Sequence, residues 1–176
     1  MDFQAWPKIS RLNSPYIITE KIDGTNACVL VDENGRVQAQ SRTRLITPEQ
    51  DNYGFARWVY DNSDVLAAAL GPGYHFGEWW GQGIQRRYNA DQKYFSLFNS
   101  TRWDGFNHPN APLYDIGVRV VPVISQGEQF QAGTVLDAVD LLQKEGSLAS
   151  PGYDRPEGLV VHFLHNRINF KYILDK

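Results

Sequence analysis

Apolar and polar positions alternate along this chain with strand-like periods first and helix-like periods second. Tyr16 to Ile22 is rich in β-branched and aromatic residues and reads as a strand. Ala27 to Val31 and Arg36 to Ser41 read as a hairpin, closed by Asn34-Gly35, a pair suited to a tight turn. Further strand-like runs cover Tyr74 to Trp80, Tyr94 to Phe98 and Val118 to Ile124. Gly158 to Leu164 and Arg167 to Leu174 pair around His165-Asn166. Three helices interrupt the strands. Thr47-Pro48 opens the first, with Gln50 completing a capping box and Phe55, Trp58 and Val59 as its apolar face. Ser63 caps the second, Asp64 to Leu70, which Gly71 ends. Thr134 caps the third, Val135 to Glu145, whose buried stripe is Leu136, Val139 and Leu142. The pattern predicts an α+β fold dominated by antiparallel sheet, with helices against its faces.

Length and composition narrow this picture. A chain of 176 residues supports one good core, so residues 1–176 are expected to form a single domain. The net charge of −3 gives no overall nucleic-acid signature, so any such contact must use a local basic face. Five Trp, nine Tyr and nine Phe can fill a core or offer flat surfaces to bases, and Trp79, Trp80 and Trp103 are read as core. The single Cys28 lies in an apolar run and reads as buried packing; alone, it forms neither an internal disulfide nor a thiolate cage. The N-terminal MDFQAWPKIS lacks the apolar region of a secretion signal, and no run approaches the ~20 apolar residues of a membrane span. The expected location is cytoplasmic, without membrane association.

The sharpest chemical signal is Glu20-Lys21-Ile22-Asp23-Gly24-Thr25-Asn26. A lysine at a strand end is held in place, and the glycine lets the backbone turn tightly beside a ligand. Such an amine becomes a covalent nucleophile once deprotonated. Tyr74 to Gly81 sets a lone carboxylate, Glu78, in an aromatic strand, where an unpaired charge is costly. Glu157 stands at the mouth of a second apolar strand, and Lys171 puts a cation in the last one. Each alone reads equally well as a charge on a solvated face.

Together, and in this order, the segments resemble the covalent nucleotidyltransferases: RNA ligases, ATP-dependent DNA ligases and mRNA capping enzymes. KIDG is similar to that superfamily's nucleotidyl-lysine motif, FGEWWG to its third motif, EGLVV to its fourth and FKYI to its fifth. The intervals are 57 residues from Lys21 to Glu78, 79 to Glu157 and 14 to Lys171. Ser41-Arg42 resembles a small motif whose arginine contacts phosphate or the RNA end. Phe95 to Asn99 resembles the aromatic motif that stacks on the base.

The resemblance implies an ATP-grasp-like adenylation domain with flanking helices and no OB-fold domain. It implies ATP as co-substrate and Mg²⁺ or Mn²⁺ as cofactor. Lys21 would carry AMP, Lys171 would hold the α-phosphate, and Glu157 and Asp23 would serve the metal. Glu78 would accept from the ribose hydroxyls and Phe98 would stack on adenine. Glu20, Ile22 and Asn26 would complete the nucleotide site, with Arg42 contacting phosphate. Arg42, Arg44, Arg86 and Arg87 are the expected nucleic-acid face, with Lys93 and Arg102 as further candidates. Lys8 and Arg11 are candidates for reaching the triphosphate. His75 alternates away from Glu78, and His108, His162 and His165 have no partners at zinc spacing, so all four read as structural or exposed.

Thr25-Asn26 after the nucleophile resembles the nick-sealing second type of phage RNA ligase, and the chain stops five residues after Lys171, leaving no room for an OB-fold. The expected activity is therefore RNA ligation, with RNA or an RNA-containing nicked duplex as partner. A minimal DNA or mixed RNA/DNA ligase and a non-catalytic nucleic-acid-binding module are the alternatives. Any protein partner is unspecified. Two departures stand out: Asn169 replaces the first lysine of the fifth motif, and Asn99 stands where many relatives carry aspartate.

Overall fold

The computed structural model describes residues 1–104 and 111–174. Its strands form two sheets. The first holds β1 (Tyr16–Lys21), β8 (Val123–Gly127), β9 (Gly158–Phe163) and β10 (Ile168–Ile173), in the order β10-β9-β1-β8 and antiparallel throughout. The second holds β2 (Thr25–Val31), β3 (Val37–Ser41), β4 (Leu45–Ile46), β5 (Gly73–Gly81), β6 (Lys93–Leu97) and β7 (Val118–Val120). Its order is β4-β3-β2-β5-β6-β7, and only the pairing of β6 with β7 is parallel. The α+β, antiparallel-rich expectation is met. Among the described residues, no helix is long and apolar enough to cross a membrane.

The run Val118 to Ile124 is not one strand. Proline cannot donate to a sheet ladder, and at Val121-Pro122 the chain leaves the second sheet for the first. The Val121 amide still donates to Leu97 in one sheet, while the Pro122 carbonyl accepts from Glu20 in the other. The other crossing follows β1, through Ile22 to Gly24. Both lie at the base of a cleft between the sheets.

Among the described residues, four helices cover the outer faces: α1 (Phe55–Asp61), α2 (Ser63–Leu70), α3 (Pro112–Asp115) and α4 (Ala132–Glu145). The first differs from its predicted start. Thr47 does not cap a helix there; it accepts the Gln50 amide in an isolated turn, at 3.0 Å to its carbonyl and 3.3 Å to its hydroxyl. Asp51 takes over the capping role, accepting from Ala56 (2.7 Å) and Arg57 (3.0 Å). Ser63 and Thr134 likewise fall inside α2 and α4 rather than capping them. On α4 the stripe of Ala138, Val139 and Leu142 is buried, whereas Leu136 faces outward, because it lies off the 138/139/142 stripe.

Burial divides into three clusters. Val29, Ala39, Phe55, Val59, Leu66 and Trp79 pack between the second sheet and α1–α2. Ile18, Phe130, Val139, Leu142, Leu159 and Val161 pack between the first sheet and α4. A smaller cluster of Ile22, Trp80, Tyr88, Val121 and Tyr153 fills the base of the cleft, where both crossings meet.

Candidate active site

Alternation along β1 decides which side chains enter the cleft. Thr19 and Lys21 border it. The Glu20 side chain turns instead to the segment after α4, accepting from Ser147 Oγ (2.6 Å) and the Leu148 and Ala149 amides (both 2.8 Å). Burial pushes its pKa up and these donors oppose the rise. With both oxygens committed, Glu20 is left only its backbone for a nucleotide.

Lys21 ends its strand opposite Gly158. Its Nζ donates to Glu157 Oε2 at 2.6 Å, both groups being mostly shielded from solvent. Across the cleft, register places Asn26 of β2 beside Glu78 of β5. The Glu78 carboxylate accepts from the Gly24 amide (3.1 Å) and from Asn26 Nδ2 (2.9 Å). Glu78 is 7% exposed, and burial pushes its pKa up to about 7. A cavity of about 240 Å³ lies between the sheets, bordered by Lys21, Ile22, Asn26, Glu78, Phe98 and Val160 among others. It joins strand-end amine, carboxylate and aromatic ring around a space that is mostly apolar.

The other expected residues are distributed around this cavity. Asp23 does not line it: its amide donates to Tyr88 Oη (2.7 Å), and its Oδ2 accepts from Arg86 Nε (3.0 Å). Arg86, one of the residues expected on the nucleic-acid face, acts as a brace. It also donates to the carbonyls of Arg155 (2.9 Å) and Pro156 (3.3 Å), the two residues before Glu157. One guanidinium thereby ties the segment after Lys21 to the segment carrying its carboxylate partner. Lys171 stands in a row with Val160 and Thr19 but is exposed and does not border the cavity. Arg42 follows Ser41, the partner of Ala27, so it lies at the Asn26 end of the second sheet, exposed. Arg44 and Arg87 are exposed, as are Lys8 and Arg11. Lys93 donates to the Tyr53 carbonyl (2.8 Å) on the far side of that sheet from the cavity. His75 is buried against the Gly71 carbonyl (2.8 Å), and His108 lies outside the described residues.

His162 is the residue that sequence reasoning missed at the cavity. Its Nε2 pairs with Thr19 Oγ1 (3.2 Å) and its Nδ1 with Asn169 Oδ1 (3.0 Å), and burial lowers its pKa. Asn169, the departure in the fifth motif, is thus engaged with a neutral ring. The signal was available: His162 lies two residues from Val160 and opposite Ile17, on the inward face of β9. Tyr88 was also missed. It is fully buried between Trp80 and Tyr153, in a loop where Gln85, Arg87, Tyr88 and Asn89 all adopt positive φ. No local pattern announces such a loop.

Gly24 lies at the bend between the sheets with φ outside the left-handed region, and glycine is needed there for close approach. A Cβ there would collide with the Trp79 carbonyl oxygen and lie 2.8 Å from Trp80 Cβ. Gly24→Ala is expected to cost about 1–3 kcal/mol by overpacking against rigid backbone, read as a lower urea midpoint. An unchanged midpoint would mean that the crossing relaxes freely.

Glu78 gives a pH signature. Its folded pKa, about 7, lies above its ordinary 4.5, so the native state favours the protonated form. The stability this contributes is full below pH 4.5 and is lost as pH rises through about 7. In urea titrations across that window, Glu78→Gln is expected to flatten this loss. A parallel pH profile in both proteins would refute it.

Lys21 with its partner Glu157 and, across the cleft, Glu78 with Asn26 thus face each other between the two sheets. Residues 14–173 match the model of the RNA ligase family, and the chain belongs to that family. No curated protein matches. Among solved structures the chain is similar to RNA ligase from Naegleria gruberi. One mutant with ATP and Mn matches at a TM-score of 0.63 and 20% identity, covering 92% of this chain and 50% of that one. Another mutant, with AMP and Mn, matches at 0.62 and 18%, with the same coverage. The chain spans about half the length of those proteins.

Proposed function

We propose that this domain carries the nucleotidyl-transfer centre of an ATP-dependent RNA ligase, with Lys21 as the residue that bears AMP. The observation that carries the reading is the Lys21 amine, held 2.6 Å from Glu157 at the rim of a cavity faced by Glu78 and Phe98. Membership of the RNA ligase family and the ATP and AMP named with the Naegleria gruberi structures support it.

In the first step Lys21 Nζ attacks the α-phosphorus of ATP. A phosphorus–nitrogen bond forms, the bond to the bridging oxygen breaks, and pyrophosphate leaves. The amine must shed its proton, and the Glu157 carboxylate is the nearest acceptor. In the second step a 5′-phosphate oxygen of RNA displaces the lysine and takes the AMP. In the third, a 3′-hydroxyl attacks that 5′-phosphorus, sealing the strand and releasing AMP. Glu78 would hold the ribose hydroxyls, Phe98 and Val160 would contact the base, and Lys171 and Arg42 would meet phosphates.

Among the described residues no three acidic, His or Cys side chains gather into a metal cage. The donors nevertheless fit a divalent ion that leans on substrate oxygens: Glu157 and Asp23 each commit one oxygen to a cation and keep the other. Held by the free oxygens of Glu157 and Asp23, Mg²⁺ or Mn²⁺ would supply positive charge that neutralises phosphate oxygens. Cytoplasmic RNA repair is the setting this chemistry suits.

The test is sealing of nicked duplexes that differ only in the 3′-hydroxyl strand, together with protein labelling by radioactive ATP or GTP. Label from ATP alone and faster sealing of RNA are expected. Equal sealing of DNA would favour the mixed-substrate alternative, and no label from either nucleotide would sink the reading.

A further inference from the structure

Beyond the nucleotide cavity the cleft widens into a groove of about 630 Å³, and Phe98, His162 and Asn169 border both spaces. Along β1 the cavity is bordered by Lys21 and Thr19, and the groove by Ile17. The groove therefore runs from the cavity away from the nucleophile. Its wall on β5 is aromatic. Tyr74, Phe76 and Glu78 share one face of that strand. Tyr74 and Phe76 stack with ring centres 6.0 Å apart and planes 11° apart, yet stand 60% and 53% exposed. Phe98 extends this wall, its amide donating to the Phe76 carbonyl at 3.0 Å.

Charge separates this groove from an ordinary apolar patch. Among the described residues its charged lining is Arg102 and Arg167, with neither Asp nor Glu, in a chain whose net charge is −3. Arg102 is anchored, donating to the Leu70 carbonyl (3.1 Å) with its guanidinium 4.8 Å from the Trp103 ring centre. Arg167 is exposed in the turn between β9 and β10. Near-parallel exposed rings with arginines at the border suit unpaired bases on a phosphate backbone. Stacking tolerates any base, while arginine meets the phosphates.

We propose that this groove binds a single-stranded stretch of the RNA substrate, bases stacked on Tyr74 and Phe76 and phosphates facing Arg102 and Arg167. The proposal rests on the RNA ligase reading and adds a site for unpaired RNA beside the nucleotide pocket.

The experiment measures binding of a short fluorescein-labelled oligouridylate by anisotropy across a salt series. It compares wild type, Tyr74→Ala/Phe76→Ala and Arg167→Ala, and each protein is also assayed for self-adenylylation with labelled ATP. The double variant is expected to bind at least about tenfold more weakly. Arg167→Ala is expected to lower the slope of log affinity against log salt by about 0.7. Both variants should label like wild type. If wild type does not bind the oligomer, or if the double variant binds it equally well, the groove is not an RNA site. If wild type takes no label from ATP, the ligase reading itself fails.

Discussion

Lys21→Ala is expected to abolish transfer of label from ATP to the protein on a denaturing gel, while the domain stays folded. The proposed covalent bond needs an amine at the strand end, and alanine supplies none. Lys21 and Glu157 keep only 25% and 15% of their side-chain surface exposed, so removing the amine leaves a largely shielded carboxylate without its partner and lowers stability somewhat. A lower thermal midpoint is therefore expected beside the loss of label, with the protein still folded at the assay temperature. Lys21→Arg should be equally inactive, because guanidinium retains the charge but is not deprotonated. Comparable label on wild type and Lys21→Ala would remove the proposed nucleophile and everything built upon it.

Glu157→Ala should slow formation of the adduct by about 10²–10³-fold, the range seen when one preorganised electrostatic partner is lost from an active site. The effect should be chemical and local. The Arg86 guanidinium grips the carbonyls of Arg155 and Pro156, and β9 begins at Gly158, so the backbone on both sides of Glu157 is fixed independently of its side chain. What is lost is the acceptor beside the amine and one oxygen donor for a metal ion. Single-turnover labelling, with an unfolding midpoint as control, checks this. A loss smaller than tenfold would show that the carboxylate only decorates the amine.

Local patterns exposed the parts of this molecule that local physics decides. The Asn34-Gly35 hairpin, the helix end at Gly71 and the alternating strands other than Val118 to Ile124 all follow from neighbouring residues, and all are present. The cap at Asp51 was hidden because Thr47-Pro48 offers an equally good signal a few residues earlier. The break at Val121-Pro122 was legible from the proline alone, but the apolar run around it masked the change of sheet. At the site, Lys21, Asn26, Glu78 and Phe98 announced themselves as polar or aromatic residues in motif positions. Arg86 did not. Its reach to Asp23 and to the carbonyls before Glu157 spans 63 and about 70 residues of sequence, and nothing in a polar loop distinguishes a solvated arginine from a brace. His162 was undervalued for a related reason: its partners, Thr19 and Asn169, come from different strands, and only register brings them together.

Among the described residues, the polypeptide passes from one sheet to the other twice, after β1 and after β7, and Ile22 and Val121 at these passages both pack into the small cluster beneath the cavity. The two halves are thus sewn together along a single seam, and that seam is the floor on which a nucleotide would rest. Spreading the halves must bend the same few residues that an occupant presses upon. Filling the cavity should therefore stiffen the whole molecule, so that melting rises with ATP concentration and regions far from the cleft exchange their amide protons more slowly.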